Sequence, residues 1–313
     1  MKLNSQTTAF IFPGQGSQTI GMGKELSETH PIAKQTFDQA DSILGFSISN
    51  LMMNGVADEL NDTVNTQPAL FIHSIASYRT FSLLFPDLKP AAVAGHSLGE
   101  LSALCAAGTF SFEDGLRLVR KRGELMKHAG ELNAGGMAAI LGLDIPALDK
   151  VCAEASAENE LVQVANDNCP GQVVISGAKP AVERAMTLAK SAGAKRALPL
   201  AVSIAAHSPL MDSIQAEWNQ AVDNTNFSNP SAPVYGNVHA SIIKTADEAR
   251  ADLKAQMQAR VRWTETIQRM SEAGISSFVE MGTGTVLGGL VKRINGEASN
   301  YPLGNPQDFS GLE

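Results

Sequence analysis

The chain has 313 residues, 44% of them hydrophobic and 18% charged, with a formal net charge of −8. This is the composition of a globular chain with a substantial core. Its acidity argues against general nucleic-acid binding, and no apolar run reaches membrane-spanning length. The three cysteines, Cys105, Cys152 and Cys169, form no C-x-x-C pair, so neither a metal site nor a disulfide framework is expected. The opening MKLNSQTTAF lacks the apolar core of a signal peptide, and a reduced, cytoplasmic setting is expected.

In chain order, Ala9–Phe12 reads as a short strand ended by Pro13-Gly14-Gln15-Gly16, followed by a helical region over about 20–44. Pro68–Phe85 is apolar at helical spacing. Ala91–Ala94 reads as a buried strand, and Leu101, Leu104, Cys105 and Gly108 then recur at helical spacing. Between them stands Gly95-His96-Ser97-Leu98-Gly99, a G-x-S-x-G. The pentapeptide alone fits a plain turn or a nucleophile elbow; the strand-to-helix context favours the elbow, with Ser97 exposed at a helix N-terminus. Ser111 with Asp114 reads as a capping box opening a helix over about 112–130.

The middle reads as strand 136–142, helix 145–157, strands 161–165 and 172–176 around an Asn-Cys-Pro-Gly turn, helix 180–193 and strand 195–200. That β-α-β-β-α-β order is ferredoxin-like. It predicts a small domain, residues 131–203, inserted in a discontinuous large α/β domain of residues 1–130 and 204–313. Beyond it come a helix over 209–222, a strand at 233–238, helices at 247–258 and 263–273, a strand at 276–280, and a Gly-rich turn leading into a helix at 282–294. Strands alternating with helices predict a mostly parallel sheet, in an α/β-hydrolase-like arrangement. The segment GQGSQTIGMGKE fails the P-loop pattern at both ends. MGTGTVLGGL lacks the third fingerprint glycine of a dinucleotide site, and tight packing better explains its glycines.

Two residue types stand out. On the helix near 116–129, Leu118, Val119, Leu125, Met126 and Ala129 share one face, and Arg122 falls near its centre. A guanidinium there cannot lose its proton and needs an anion. That anion is either an internal Asp or Glu or the carboxylate or phosphate of a ligand; beside a nucleophile, the ligand reading gains. Among six histidines, His30 and His128 read as surface, His73 as core, and His96 points away from its neighbour Ser97. His207, in a loop at the domain junction, leads as the base, with His239 second.

FPGQGSQTIGMG (12–23), GHSLGE (95–100), Arg122 in KRG, AHSPLM (206–211) and W-T-x-T-I (263–267) follow the order seen in malonyl-CoA:acyl-carrier-protein transacylases. The chain resembles that family along nearly its whole length. The resemblance implies that Ser97 becomes the acyl-serine and that His207 acts as base and then acid. It implies that the Gln256 backbone carbonyl orients His207, that the N–H groups of Gln15 and Leu98 form the oxyanion hole, and that Arg122 binds the malonyl carboxylate. It further implies no permanently bound cofactor and no metal, with a coenzyme A thioester as substrate. The implied partners are malonyl-CoA and holo acyl-carrier protein, without nucleic acid or membrane, for a cytoplasmic monomer serving fatty-acid synthesis. Ala206, before the histidine, departs from the Ser or Phe common in the family and leaves more room in the acyl pocket. A free-standing polyketide acyltransferase or a malonate-decarboxylase subunit would share these motifs. A serine thioesterase or esterase would require an acid between Ser and His and an HGGG-like loop, which is absent. Arg117, Arg120, Lys121 and Lys127 form a basic stripe expected to dock an acidic carrier protein, with Lys195 and Arg196 as the second candidate.

Overall fold

The computed structural model describes residues 3–312. Its strands are β1 (Thr8–Phe12), β2 (Ala92–Gly95), β3 (Gly135–Leu141), β4 (Val162–Cys169), β5 (Gln172–Ala178), β6 (Arg196–Pro199), β7 (Val234–Tyr235), β8 (Ile242–Ile243), β9 (Ser277–Met281) and β10 (Ser299–Leu303). All five side chains of β1 and all four residues of β2 are buried, as expected of strands covered by helices on both faces. The large sheet runs β10-β9-β1-β2-β7-β8; every pairing in it is parallel except that of β7 with the edge strand β8. The second sheet is antiparallel, in the order β4-β5-β3-β6. It rests on its own aliphatic cluster of Ile140, Leu148, Val164, Ile175 and Ala185. The mixed α/β architecture expected from the sequence, a parallel-rich sheet plus a ferredoxin-like unit, is the one observed.

The register positions the site. Ala9 lies opposite Ala92 and Phe12 opposite Gly95, so β1 and β2 end level with one another. The Pro13–Gly16 loop and the Ser97 turn therefore leave the sheet side by side at its carboxyl edge, where α/β sheets place ligands. Close approach requires glycine on both sides of the serine. A Cβ on Gly95 would meet the Gly99 carbonyl at 1.9 Å, and one on Gly99 would meet the Phe12 carbonyl at 2.0 Å.

Several elements differ from expectation. The helical region at 20–44 is two helices, Lys24–Thr29 and Pro31–Leu44, because His30 precedes a proline and stays extended (φ −118°, ψ 113°). The next long helix begins at Thr63, not Pro68, capped by the Asp62 side chain. Pro68 inside it cannot donate to the Val64 carbonyl, and Arg120 Nη1 supplies that oxygen with a hydrogen bond at 3.1 Å. Ser111 caps the helix Phe112–Leu132 by accepting from the Asp114 N–H at 3.0 Å, but Asp114 accepts from the Ser111 hydroxyl instead of its N–H, so the box is only half formed. Short helices at Ile48–Asn54 and Ala57–Asn61 and the strands β8 and β10 have no counterpart in the sequence reading. The strand expected over 233–238 stops at Tyr235, which frees Asn237 for the site.

Candidate active site

Ser97 occupies the left-handed region at φ 53°, the strained backbone of an elbow between β2 and the helix Gly99–Ala106. Its N–H donates to Asn237 Oδ1 at 2.7 Å, while Asn237 Nδ2 donates to the Gly95 carbonyl at 2.7 Å. One side chain thereby clamps both sides of the turn. Ser97 Oγ lies 2.7 Å from His207 Nε2. His207 is itself at φ 57° and buried, and its Nδ1 lies 2.8 Å from the Gln256 carbonyl and 3.2 Å from that of Ala259. Two carbonyl acceptors fix the proton on Nδ1 and leave the Nε2 lone pair facing the serine. Burial, then the nearby Arg122 charge, pushes the His207 pKa down to about 3. The imidazole is thus neutral at neutral pH, and no carboxylate contacts it among the described residues.

Arg122 is 1% exposed and reaches the same serine, with Nη2 3.2 Å from Ser97 Oγ. Its other contacts are amide oxygens: Gln67 Oε1 at 2.7 Å and Gln256 Oε1 at 2.9 Å. Among the described residues it has no carboxylate ion-pair partner, and its Nε has no hydrogen bond. The bland expectation, a structural pair with an internal Asp or Glu, is therefore not what the fold provides. Gly123 makes the Gln67 contact reachable, since a Cβ there would meet the Thr63 carbonyl at 2.8 Å and push the two helices apart.

The Leu98 N–H, at the mouth of the elbow helix, and the Gln15 N–H, in the loop after β1, donate to no other group among the described residues. Gln15 also lines an open groove together with Asp62, Thr63, Lys127, Val202 and Ile204. The other histidines lie where they compete poorly for the role of base. His73 is buried with Nε2 2.9 Å from the Gly304 carbonyl, and burial pushes its pKa down to about 4. His239 is exposed, as is His128, while the His30 ring lies tilted against that of Phe309. His96 Nε2 is tied to Asn168 Oδ1 at 2.7 Å, which links the elbow to β4 of the small sheet.

The sequence reading missed Gln67, Asn168, Asn237, the side chain of Gln256, and the buried Glu100 that ends GHSLGE. Of these, only Glu100 lay inside a motif already singled out; the others reveal their roles only through contacts between distant segments. The glycine-rich turn at 282–285 has a structural explanation. Glu280, at the end of β9, accepts from the N–H groups of Leu287 (3.0 Å) and Gly288 (2.8 Å), so the helix N-terminus is already filled by a carboxylate. The basic stripe is also changed by the fold. Arg117 pairs with Glu113, Arg120 with Glu124, Lys121 with Glu217 and Lys127 with Asp62, at 2.6–3.2 Å. Lys195 and Arg196 are exposed and unpaired among the described residues.

Residues 9–300 match the family model described as the acyl transferase domain. The chain is 45% identical to a malonyl CoA-acyl carrier protein transacylase of Haemophilus influenzae, with 97% of each chain covered. It superposes on an acyl carrier protein S-malonyltransferase from Vibrio cholerae with a TM-score of 0.95 and 42% identity, covering 98% of this chain and 100% of that one. A malonyl-transacylase solved in complex with its type II PKS acyl-carrier protein superposes at a TM-score of 0.93, with 41% identity over 97% and 98% of the two chains. With the family model spanning nearly the whole chain and these relatives covered end to end, the protein belongs to the acyl transferase domain family.

Proposed function

We propose that the protein transfers the malonyl group of malonyl-CoA to the phosphopantetheine thiol of holo acyl-carrier protein through a malonyl-Ser97 intermediate, in support of fatty-acid synthesis. His207 Nε2 takes the Ser97 proton as Oγ attacks the thioester carbonyl. The tetrahedral oxyanion is held by the free N–H groups of Gln15 and Leu98. Collapse breaks the C–S bond, and the coenzyme A sulfur leaves with the proton that His207 held. In the second half, His207 deprotonates the carrier thiol, whose sulfur attacks the serine ester. The Ser97–acyl bond breaks and Oγ recovers its proton from His207. The Gln256 carbonyl holds the imidazole in the required tautomer where other triads use aspartate.

The observation that carries this reading is Arg122, a buried guanidinium beside the nucleophile without a carboxylate partner among the described residues. A malonyl carboxylate supplies the missing anion and, by offsetting the Arg122 charge, makes His207 a stronger base once substrate is bound. All these groups come from one chain, which supports action as a monomer. The substrate is a coenzyme A thioester and no permanently bound cofactor takes part. No helix is long and apolar enough to cross a membrane among the described residues, and a cytoplasmic setting fits three free cysteines. The separate core under the four-stranded sheet supports treating residues 131–203 as an inserted unit. Intact-mass measurement tests the reaction. Malonyl-CoA should leave a malonyl adduct that disappears when holo carrier protein is added; an adduct lost equally fast in water alone would indicate a hydrolase instead.

A further inference from the structure

Glu100 and Asp252 are two buried acids packed behind the elbow, 0% and 9% exposed. Glu100 is on the helix that starts at Gly99. Asp252 is on the helix Ala246–Gln256, one turn before Gln256 and on the same face. Gln256 Nε2 donates to Glu100 Oε2 at 2.5 Å and to the Ser97 carbonyl at 2.9 Å, while its Oε1 accepts from Arg122. The Gln256 amide therefore bridges the side chains of Glu100 and Arg122. Asp252 Oδ2 receives no hydrogen bond from any fixed N–H or hydroxyl donor among the described residues. Its Oδ1 lies against Gly236, where a Cβ would come within 2.7 Å. Two carboxylates cannot both stay ionised in a dry site without a cation between them. A proton on Glu100 removes the repulsion and makes it a donor to the Asp252 carboxylate, with which its side chain is in hydrogen-bond contact. Burial and the Asp252 charge both raise the Glu100 pKa, in keeping with that placement. Arg122 faces Glu100, and His239 faces Asp252.

We infer that Glu100 is a neutral carboxylic acid hydrogen-bonded to Asp252, and that this pair keeps negative charge one step away from Arg122 so that the guanidinium stays free for the substrate carboxylate. Glu100 and Asp252 are thus positioning residues for selection of a carboxylated acyl group. The inference rests on the reading of Arg122 given above. An ionised Glu100 would act on Arg122 through the Gln256 amide and compete with malonyl for its charge.

Asp252→Asn keeps the shape, removes the charge that holds the proton on Glu100 and offers an amide donor to it, so that Glu100 ionises. The malonyl-over-acetyl preference should then fall about tenfold, carried by a raised KM for malonyl-CoA. Glu100→Gln, which retains a donor for Asp252 and an acceptor for Gln256, should keep the preference within about twofold. An unchanged preference in Asp252→Asn, or a loss in Glu100→Gln equal to that in Asp252→Asn, overturns the inference. An infrared difference spectrum of wild type against Glu100→Gln at neutral pH supplies a readout independent of turnover. The stretch of a protonated carboxyl should disappear in the variant, and its absence from wild type overturns the protonation. Arg122→Ala separates the two readings. If it abolishes the preference while Asp252→Asn does not, the role of the pair is wrong and Arg122 still binds the carboxylate. If it leaves the preference intact, both fall.

Discussion

The core of the small sheet and the carboxyl edge of the large sheet bury opposite kinds of side chain. Beneath β3–β6 the core is aliphatic: Ala138, Ile140, Leu148, Val164, Ile175 and Ala185. At the carboxyl edge of the large sheet the fold buries Gln67, Glu100, Arg122, His207, Asn237, Asp252 and Gln256. Burying such groups is costly unless each finds a partner, and a core is built more cheaply from apolar residues. The contrast teaches where to look for function. The core of the small sheet is explained by packing, and the sheet meets the site through the polar side chains of Gln163 and Asn168 on β4, whereas the elbow carries a polar network in which the Arg122 charge has no carboxylate partner among the described residues.

Variants can break or sharpen that contrast. The largest effect should come from Ser97→Ala, which removes the proposed acyl acceptor. No malonyl adduct should be seen by intact mass while circular dichroism stays native, and an adduct persisting on that variant would exclude Ser97. His207→Ala should slow both half-reactions about 10²–10⁴-fold in single-turnover assays. Because burial and Arg122 depress the His207 pKa to about 3, the base stays unprotonated as pH falls through its ordinary value of 6.5. Acylation should therefore be nearly flat between about pH 8 and pH 5, and an inflection near the ordinary imidazole value would contradict the geometry.

Arg122→Ala should lower kcat/KM for malonyl-CoA by about 10²-fold or more and leave acetyl transfer far less affected, because a charge-assisted pair is lost only for the carboxylated group. An equal loss for both acyl groups would make the arginine structural and erase the contrast between the two regions. In the small sheet the effect should be the reverse. Ile175→Ala, at a fully buried position, should cost about 2–5 kcal/mol of stability through transfer and cavity terms. The fraction that remains folded should acylate Ser97 at close to the normal rate. A chemical defect larger than the stability defect would show that the small sheet contributes more than packing.

The smallest effect concerns the carrier protein. The stripe on the helix Phe112–Leu132 is neutralised by acids on the same helix and on neighbouring segments, so Arg120→Glu with Lys121→Glu removes little net attraction. Lys195→Glu with Arg196→Glu should instead raise the KM for carrier protein several-fold, with little change for malonyl-CoA, and added salt should mimic it. No change in that double variant would place docking elsewhere.

Local pattern was enough for much of this molecule. Short apolar runs and helical spacing gave β1, β2, the elbow and the order of the small sheet, because those signals lie within one segment. The out-of-place Arg122 was legible for the same reason: one turn of helix shows which face it occupies. Short or interrupted elements were not legible. β10 carries Pro302 and is tolerated only at a sheet edge, and β8 is two residues long. The partners of the site residues were beyond sequence reasoning altogether. Gln256 and Glu100 stand 156 residues apart, and Asn237 and Ser97 stand 140 apart. Neither separation leaves a periodic trace in the chain. Sequence decided which residue types were available and which face each would occupy. The tertiary structure alone decided that Arg122 would meet the amides of Gln67 and Gln256 and the Ser97 hydroxyl, because only chain topology selects which distant groups share a dry site.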